Sequence, residues 1–182
     1  AGESYVVFGK ADWSGHVNAD GTASLGLQTL NGTTGFRLDG IDVDDYSGIS
    51  VSGIGDANAD GYDDLIISGA LGDPGGDSDA GESYVVFGGA SFSSSLDLST
   101  LNGTTGFRLD GIDEGDVSGV SVSGIGDVNA DGYDDLIIGA PYADPGGDSA
   151  AGESYVVFGG ASFSSSLDLS TLNGTTGFRL DG

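Results

Sequence analysis

Cysteine is absent from this 182-residue chain, so neither disulfides nor thiolate metal ligands are available to it. Positive charge is almost absent too. Lys10, Arg37, Arg108 and Arg179 stand against 29 acidic residues, for a formal charge of -25. Nucleic-acid binding needs a basic footprint that this chain does not have, and an anionic membrane surface would repel it. No apolar run approaches the roughly 20 residues that a membrane-crossing helix requires. A single histidine, no G-x-S-x-G and no acid/base pair outside the loops described below leave little for catalysis, and the chain reads as a non-enzyme. No signal peptide is visible and Ala1 is not an initiator, so the sequence reads as a mature chain or a fragment.

What is present is repetition. Asn-Gly-Thr-Thr-Gly-Phe-Arg-Leu-Asp-Gly begins at Asn31, Asn102 and Asn173, a period of 71 residues, and residues 31–101 match 102–172 at 60 of 71 positions. Within each repeat stands one acidic loop. Asp56–Asp64 and Asp127–Asp135 both read D-x-N-x-D-G-x-D-D, and each is flanked by apolar runs. Oxygen-bearing side chains at positions one, three, five and nine converge only if the chain coils tightly, and glycine at position six permits a positive φ. Such a cage suits a hard cation, and calcium better than magnesium because the donors are many and the loop adaptable.

The candidate side-chain ligands are Asp56, Asn58, Asp60 and Asp64 in one loop and Asp127, Asn129, Asp131 and Asp135 in the other. Tyr62 and Tyr133 would add backbone carbonyls. The start matches an EF-hand loop, but position twelve is Ile67 or Ile138 and not glutamate, so the loop closes early and joins strands. Carboxylates about 5 Å apart repel by roughly 3 kcal/mol at an effective dielectric near 20, so calcium reads as a folding requirement. The stretch from His16 to Ser24 resembles a decayed version in which only Asn18 and Asp20 survive.

The segment ESYVVFG, at 82–88, alternates Tyr84 and Val86 with Val85 and Phe87; both faces are apolar, so a strand buried between two layers is expected. Gly48–Gly53 and Gly119–Gly124 read as strands with one β-branched and one serine face. The Asn-Gly before each Phe-Arg-Leu-Asp predicts a hairpin joining LDLSTL to GFRLDG. The same Asn-Gly-Thr is formally a glycosylation sequon at Asn31, Asn102 and Asn173. Four short strands per repeat without a helix predict an all-β fold of four-stranded antiparallel β-propeller-type blades. The divisions are 1–40 (half a blade, with a divergent insert), 41–111 and 112–182, about two and a half blades, too few to close a propeller. A parallel β-helix is the runner-up.

The run from Ser118-Gly119 through Asp127–Asp135 to Leu136-Ile137-Ile138-Gly139-Ala140-Pro141 resembles an FG-GAP repeat, the unit of integrin α-subunit β-propellers and of many bacterial surface proteins. Ser118-Gly119 and Ser47-Gly48 replace the family's Phe-Gly, and Gly-Ala-Pro is intact only in the second copy. The resemblance implies the same calcium ligands and an extracellular or cell-surface module for adhesion or interaction. No Arg-Gly-Asp is present. The alternative is a self-assembling structural fibre of head-to-tail blades, whose partners are further copies or repeats; surface proteins or glycans are the other expected partners.

Overall fold

The computed structural model describes the whole chain except residues 13, 16–19 and 23. It is all-β, with twelve strands, five short 3-10 turns and no α-helix among the described residues. In chain order the strands are β1 (Glu3–Val7), β2 (Gly35–Asp39), β3 (Val51–Gly55), β4 (Asp64–Gly69), β5 (Glu82–Val86) and β6 (Ser95–Asp97). The second set is β7 (Gly106–Asp110), β8 (Ser121–Gly126), β9 (Asp135–Ala140), β10 (Glu153–Val157), β11 (Ser166–Asp168) and β12 (Gly177–Asp181). Two antiparallel meanders, β3-β4-β5-β7 and β8-β9-β10-β12, have the four-stranded form of propeller blades, and β1-β2 repeats their outer half.

The expected two-sided strand is present. β5 is buried along its whole length. Val85 and Phe87 enter one hydrophobic cluster with Ile54, Phe107 and Ile138, while Tyr84 and Val86 enter another with Phe36, Leu38 and Leu98. The central sheet is therefore covered on both faces at β5, which is why that strand is apolar on both. Between meanders, β3 and β8 approach closely enough that a Cβ on Gly124 would sit 2.6 Å from the Ile54 Cα. The serine face serves that approach: the Val122 N–H donates to Ser50 Oγ at 3.1 Å.

The expected hairpin does not form. The Ser-Leu-Asp strands β6 and β11 do not pair with β7 and β12, which follow them. β6 instead lies parallel to β2, and β11 parallel to β7, each crossing to the preceding repeat. The cause is local. Asp97 accepts the Ser99 N–H at 2.9 Å and starts a 3-10 turn, Leu98–Thr100, that turns the chain out of the strand. Asn102 then accepts from the Thr104 N–H at 2.9 Å, and Gly103 N–H donates to Gly106 O at 2.8 Å. The Asn-Gly turn is real, but it delivers β7 to β5.

Three of the four basic residues repeat one constellation. Arg108 holds Asp110 at 2.5 Å and the buried Glu82 at 3.1 Å, and Tyr84 donates its hydroxyl to the same Glu82. Arg179 does the same for Asp181 and Glu153, and Arg37 for Asp39 and Glu3. Burial pushes the Glu82 carboxyl above its ordinary range, against the opposing pull of Tyr84 and Arg108.

Candidate functional site

Both acidic loops join adjacent antiparallel strands, β3 to β4 and β8 to β9. Each leaves its first strand through a register shift, at Gly53/Gly55 and at Gly124/Gly126. The glycine at position six takes the positive φ expected of it, 92° at Gly61 and 93° at Gly132. Position four does so as well, with φ of 56° at Ala59 and 62° at Ala130, where a side chain makes the left-handed region costly. Two left-handed residues in three are what coil the loop this tightly.

Hydrogen bonds hold the coil. Asp56 accepts the Asp60 N–H at 3.0 Å and the Gly61 N–H at 2.9 Å, and Asp60 accepts the Tyr62 N–H at 2.9 Å. Asn58 accepts the Asp60 N–H at 2.9 Å and donates its amide to Asp60 Oδ2 at 3.0 Å. The second loop repeats this pattern: Asp127 accepts from Asp131 and Gly132, Asp131 from Tyr133, and Asn129 bridges to Asp131. Positions one, three and five are thus drawn together.

Position nine is held differently. Asp64 is buried, accepting the Ala57 N–H at 2.9 Å and the Gly88 N–H at 2.7 Å. Asp135 is likewise buried, between the Val128 and Gly159 amides, both at 2.9 Å. Burial, with Asp60 and Asp56 adding repulsion, pushes the Asp64 carboxyl up to about 6 in spite of its two amide donors.

Among the described residues no three His, Cys, Asp or Glu side chains come close enough together to hold an ion. The loop carboxylates are engaged by backbone amides instead. The donor chemistry nonetheless fits calcium, since every candidate atom is a carboxylate, amide or backbone oxygen. Of the stretch His16–Ser24, residues 16–19 and 23 lie outside the described residues; Asp20 and Ser24 are exposed, and Asp20 accepts the Thr22 N–H at 2.9 Å.

One residue carries a role that the sequence pattern did not assign. Asp134, at position eight of the second loop, reaches the first: its Oδ2 accepts the Asp56 N–H at 2.9 Å. Gly55 makes room, since a Cβ there would lie 2.0 Å from the same oxygen. The Gly160 N–H adds a bond to Ala57 O at 2.9 Å. The first loop is therefore roofed by the following repeat and the second is not: Ala57 is 2% exposed, its counterpart Val128 55%. The doubled acidic pair at positions eight and nine was the available signal, with one carboxylate turned inward and the other across to the neighbouring repeat.

Comparison with known proteins bears on these loops directly. The pattern of the FG-GAP repeat family matches residues 118–157, which span β8, the second loop, β9 and β10. Integrin alpha-PS5 of Drosophila melanogaster is 35% identical over 102 residues, 56% of this chain and 9% of its own length. Integrin alpha-PS2 of the same organism is 33% identical over 116 residues, 62% of this chain and 8% of its own length. The chain thus spans less than a tenth of either relative.

Proposed function

We propose that this chain, an FG-GAP repeat protein of integrin α type, is a calcium-stabilised module for adhesion or interaction at the cell surface, and not an enzyme. One observation carries the reading. Two loops of hard-oxygen donors, each coiled between strands, are tied to each other through Asp134 and the Asp56 amide. An ion in such loops would be held by Asp56, Asn58, Asp60 and Asp64, and by Asp127, Asn129, Asp131 and Asp135. The Tyr62 and Tyr133 carbonyls would complete the two sets.

What the ion supplies is neutralisation of charge. A chain of formal charge -25 resists compaction until cations bind, and extracellular calcium is abundant enough for loops of modest affinity. The partners on this reading are other proteins, surface glycans or further repeats of the same kind, with 1–40, 41–111 and 112–182 as the repeating units. Thermal unfolding with millimolar calcium and with excess chelator tests it. At calcium about a hundredfold above Kd, stabilisation by about 2.7 kcal/mol per site is expected; identical melting curves would overturn the proposal. A second reading, head-to-tail assembly, is favoured by the near-identity of the repeats, 60 of 71 positions, because an open array reuses one contact at every step.

A further inference from the structure

Each crossing segment walls a cavity. The first, of about 260 Å³, lies between the end of β5, the residues that lead into β6, and the turn before β7. The second, of about 330 Å³, has the same place in the next repeat, between the end of β10, the approach to β11 and the turn before β12. The two linings agree residue for residue at a spacing of 71. The first cavity has the following repeat packed beside it, with Phe163 against Phe87, and the second has a whole repeat before it. Neither neighbour closes it, so the repeat itself builds the cavity.

Its chemistry is divided. In the first copy the buried Phe36 and Val86 form the floor, with the half-buried Phe92 and Leu96 above them. Ser91, Ser93, Ser95, Thr104 and Thr105 are exposed at the mouth. Thr104 and Thr105 donate their hydroxyls to Asn102 Oδ1, at 2.6 and 3.4 Å, and keep their oxygens as acceptors. Among the described residues that line either copy none is charged, in a chain with 29 acidic residues. One wall hangs on the acidic loop of its own repeat. Gly88 donates its N–H to Asp64 Oδ1 at 2.7 Å, and Gly159 donates to Asp135 Oδ1 at 2.9 Å.

We infer that this cavity binds one ring of a neutral glycan, once per repeat. A pyranose ring has an apolar C–H face and a periphery of hydroxyls. The cavity offers a counterpart to each, an apolar floor and a mouth of serine and threonine hydroxyls. Charge selects further. A cation finds no carboxylate in the lining, and an acidic sugar is repelled by the field of the whole chain. An apolar peptide side chain would use the floor alone. The volume stands at the small end of the ~300–1,000 Å³ typical of ligand sites, which suits a single ring and not an extended chain. One such site is weak, with a Kd on the order of 1 mM. Sites at a fixed period offset that weakness, because a glycan that reaches several of them at once gains about 10²–10⁴ in avidity. The inference rests on the reading of the chain as an interaction module and names the partner.

Titration of the isotope-labelled chain in millimolar calcium, followed by amide shifts, tests this with methyl β-galactoside, methyl α-mannoside and N-acetylglucosamine as probes. At least one should give saturable shifts at Gly88, Gly89, Thr104 and Thr105, and in parallel at Gly159, Gly160, Thr175 and Thr176, while glucuronic acid gives none. Gly89→Trp fills the first cavity from a position where a Cβ meets nothing within 4 Å. It should abolish the first set of shifts and keep the second, which also shows that the variant is folded. Ser93→Ala with Ser95→Ala should weaken the first site about tenfold. No saturable shift from any of the three sugars at about 10 mM, equal binding of glucuronic acid, or first-cavity shifts that survive Gly89→Trp would each overturn the inference. Shifts from N-acetylphenylalaninamide with none from the sugars would overturn it in favour of a protein partner. Melting curves with calcium and with chelator report the module reading separately: calcium stabilisation without sugar binding retires the glycan site alone, and sugar binding with identical curves retires the calcium reading alone.

Discussion

Asp134→Ala should weaken calcium binding at the first loop, in the other repeat, and leave the second loop, where the substitution lies, close to unchanged. The substitution removes the acceptor of the Asp56 N–H, a bond of 2.9 Å from a carboxylate only partly exposed. Hydrogen bonds to charged groups contribute about 1.5–3 kcal/mol. Partial solvent access places this one at the lower end, and a loss of about 1.4 kcal/mol corresponds to tenfold in affinity. Calorimetric titration in an Asp127→Ala background, where only the first loop binds, would read that tenfold loss. The matching titration of Asp134→Ala in an Asp56→Ala background reads the second loop and should show less than about a twofold change. Equal affinities with and without Asp134 in the first titration would refute the idea that one repeat organises the loop of its neighbour.

Three further outcomes follow from the packing. The Asp64 carboxyl is pushed up to about 6, so the folded metal-free chain holds this proton more tightly than the unfolded chain does. Its contribution is full below the ordinary carboxylate range and is lost as pH rises through about 6. The metal-free chain in chelator should therefore be more stable at pH 5 than at pH 7, by about 1 kcal/mol from this group, while calcium binding weakens below pH 6 as protons compete; higher stability at pH 7 in chelator would contradict it. Gly159→Ala places a Cβ 2.6 Å from Asp134 O and 2.7 Å from Ala57 O, whereas Gly160→Ala meets nothing within 4 Å. The first should cost about 1–3 kcal/mol and the second much less, read by denaturant midpoints. Phe107→Ala removes a fully buried ring from the stack with Phe163 and should cost about 3–5 kcal/mol in the same assay.

Much of this fold is written in local pattern. Strict alternation at Tyr84, Val85, Val86 and Phe87 gives a strand buried on both faces, because a two-residue period places neighbours on opposite sides of a sheet. The acidic loops are legible for a similar reason, since ligand types and the turn-making glycine share nine consecutive positions. The crossing strands β6 and β11 were not legible. Three residues show no period, and the partner of Leu96 is Leu38, in the preceding repeat. The nearby Asn-Gly signalled a turn correctly but not which strand the turn serves. Asp134 was hidden by its neighbour: both stand in one acidic pair, and only the packing of one loop on the next separates the inward Asp135 from the bridging Asp134. The left-handed Ala59 and Ala130 gave no signal at all, because alanine does not favour that conformation.

Counting bound ions tests the central claim most directly. Equilibrium dialysis of the chelator-stripped chain against calcium should give two bound ions per chain for the unmodified protein, one for Asp56→Ala and one for Asp127→Ala, with none left in the double variant. Binding that survives in the double variant, or none in the unmodified chain, would contradict the assignment of calcium to these two loops.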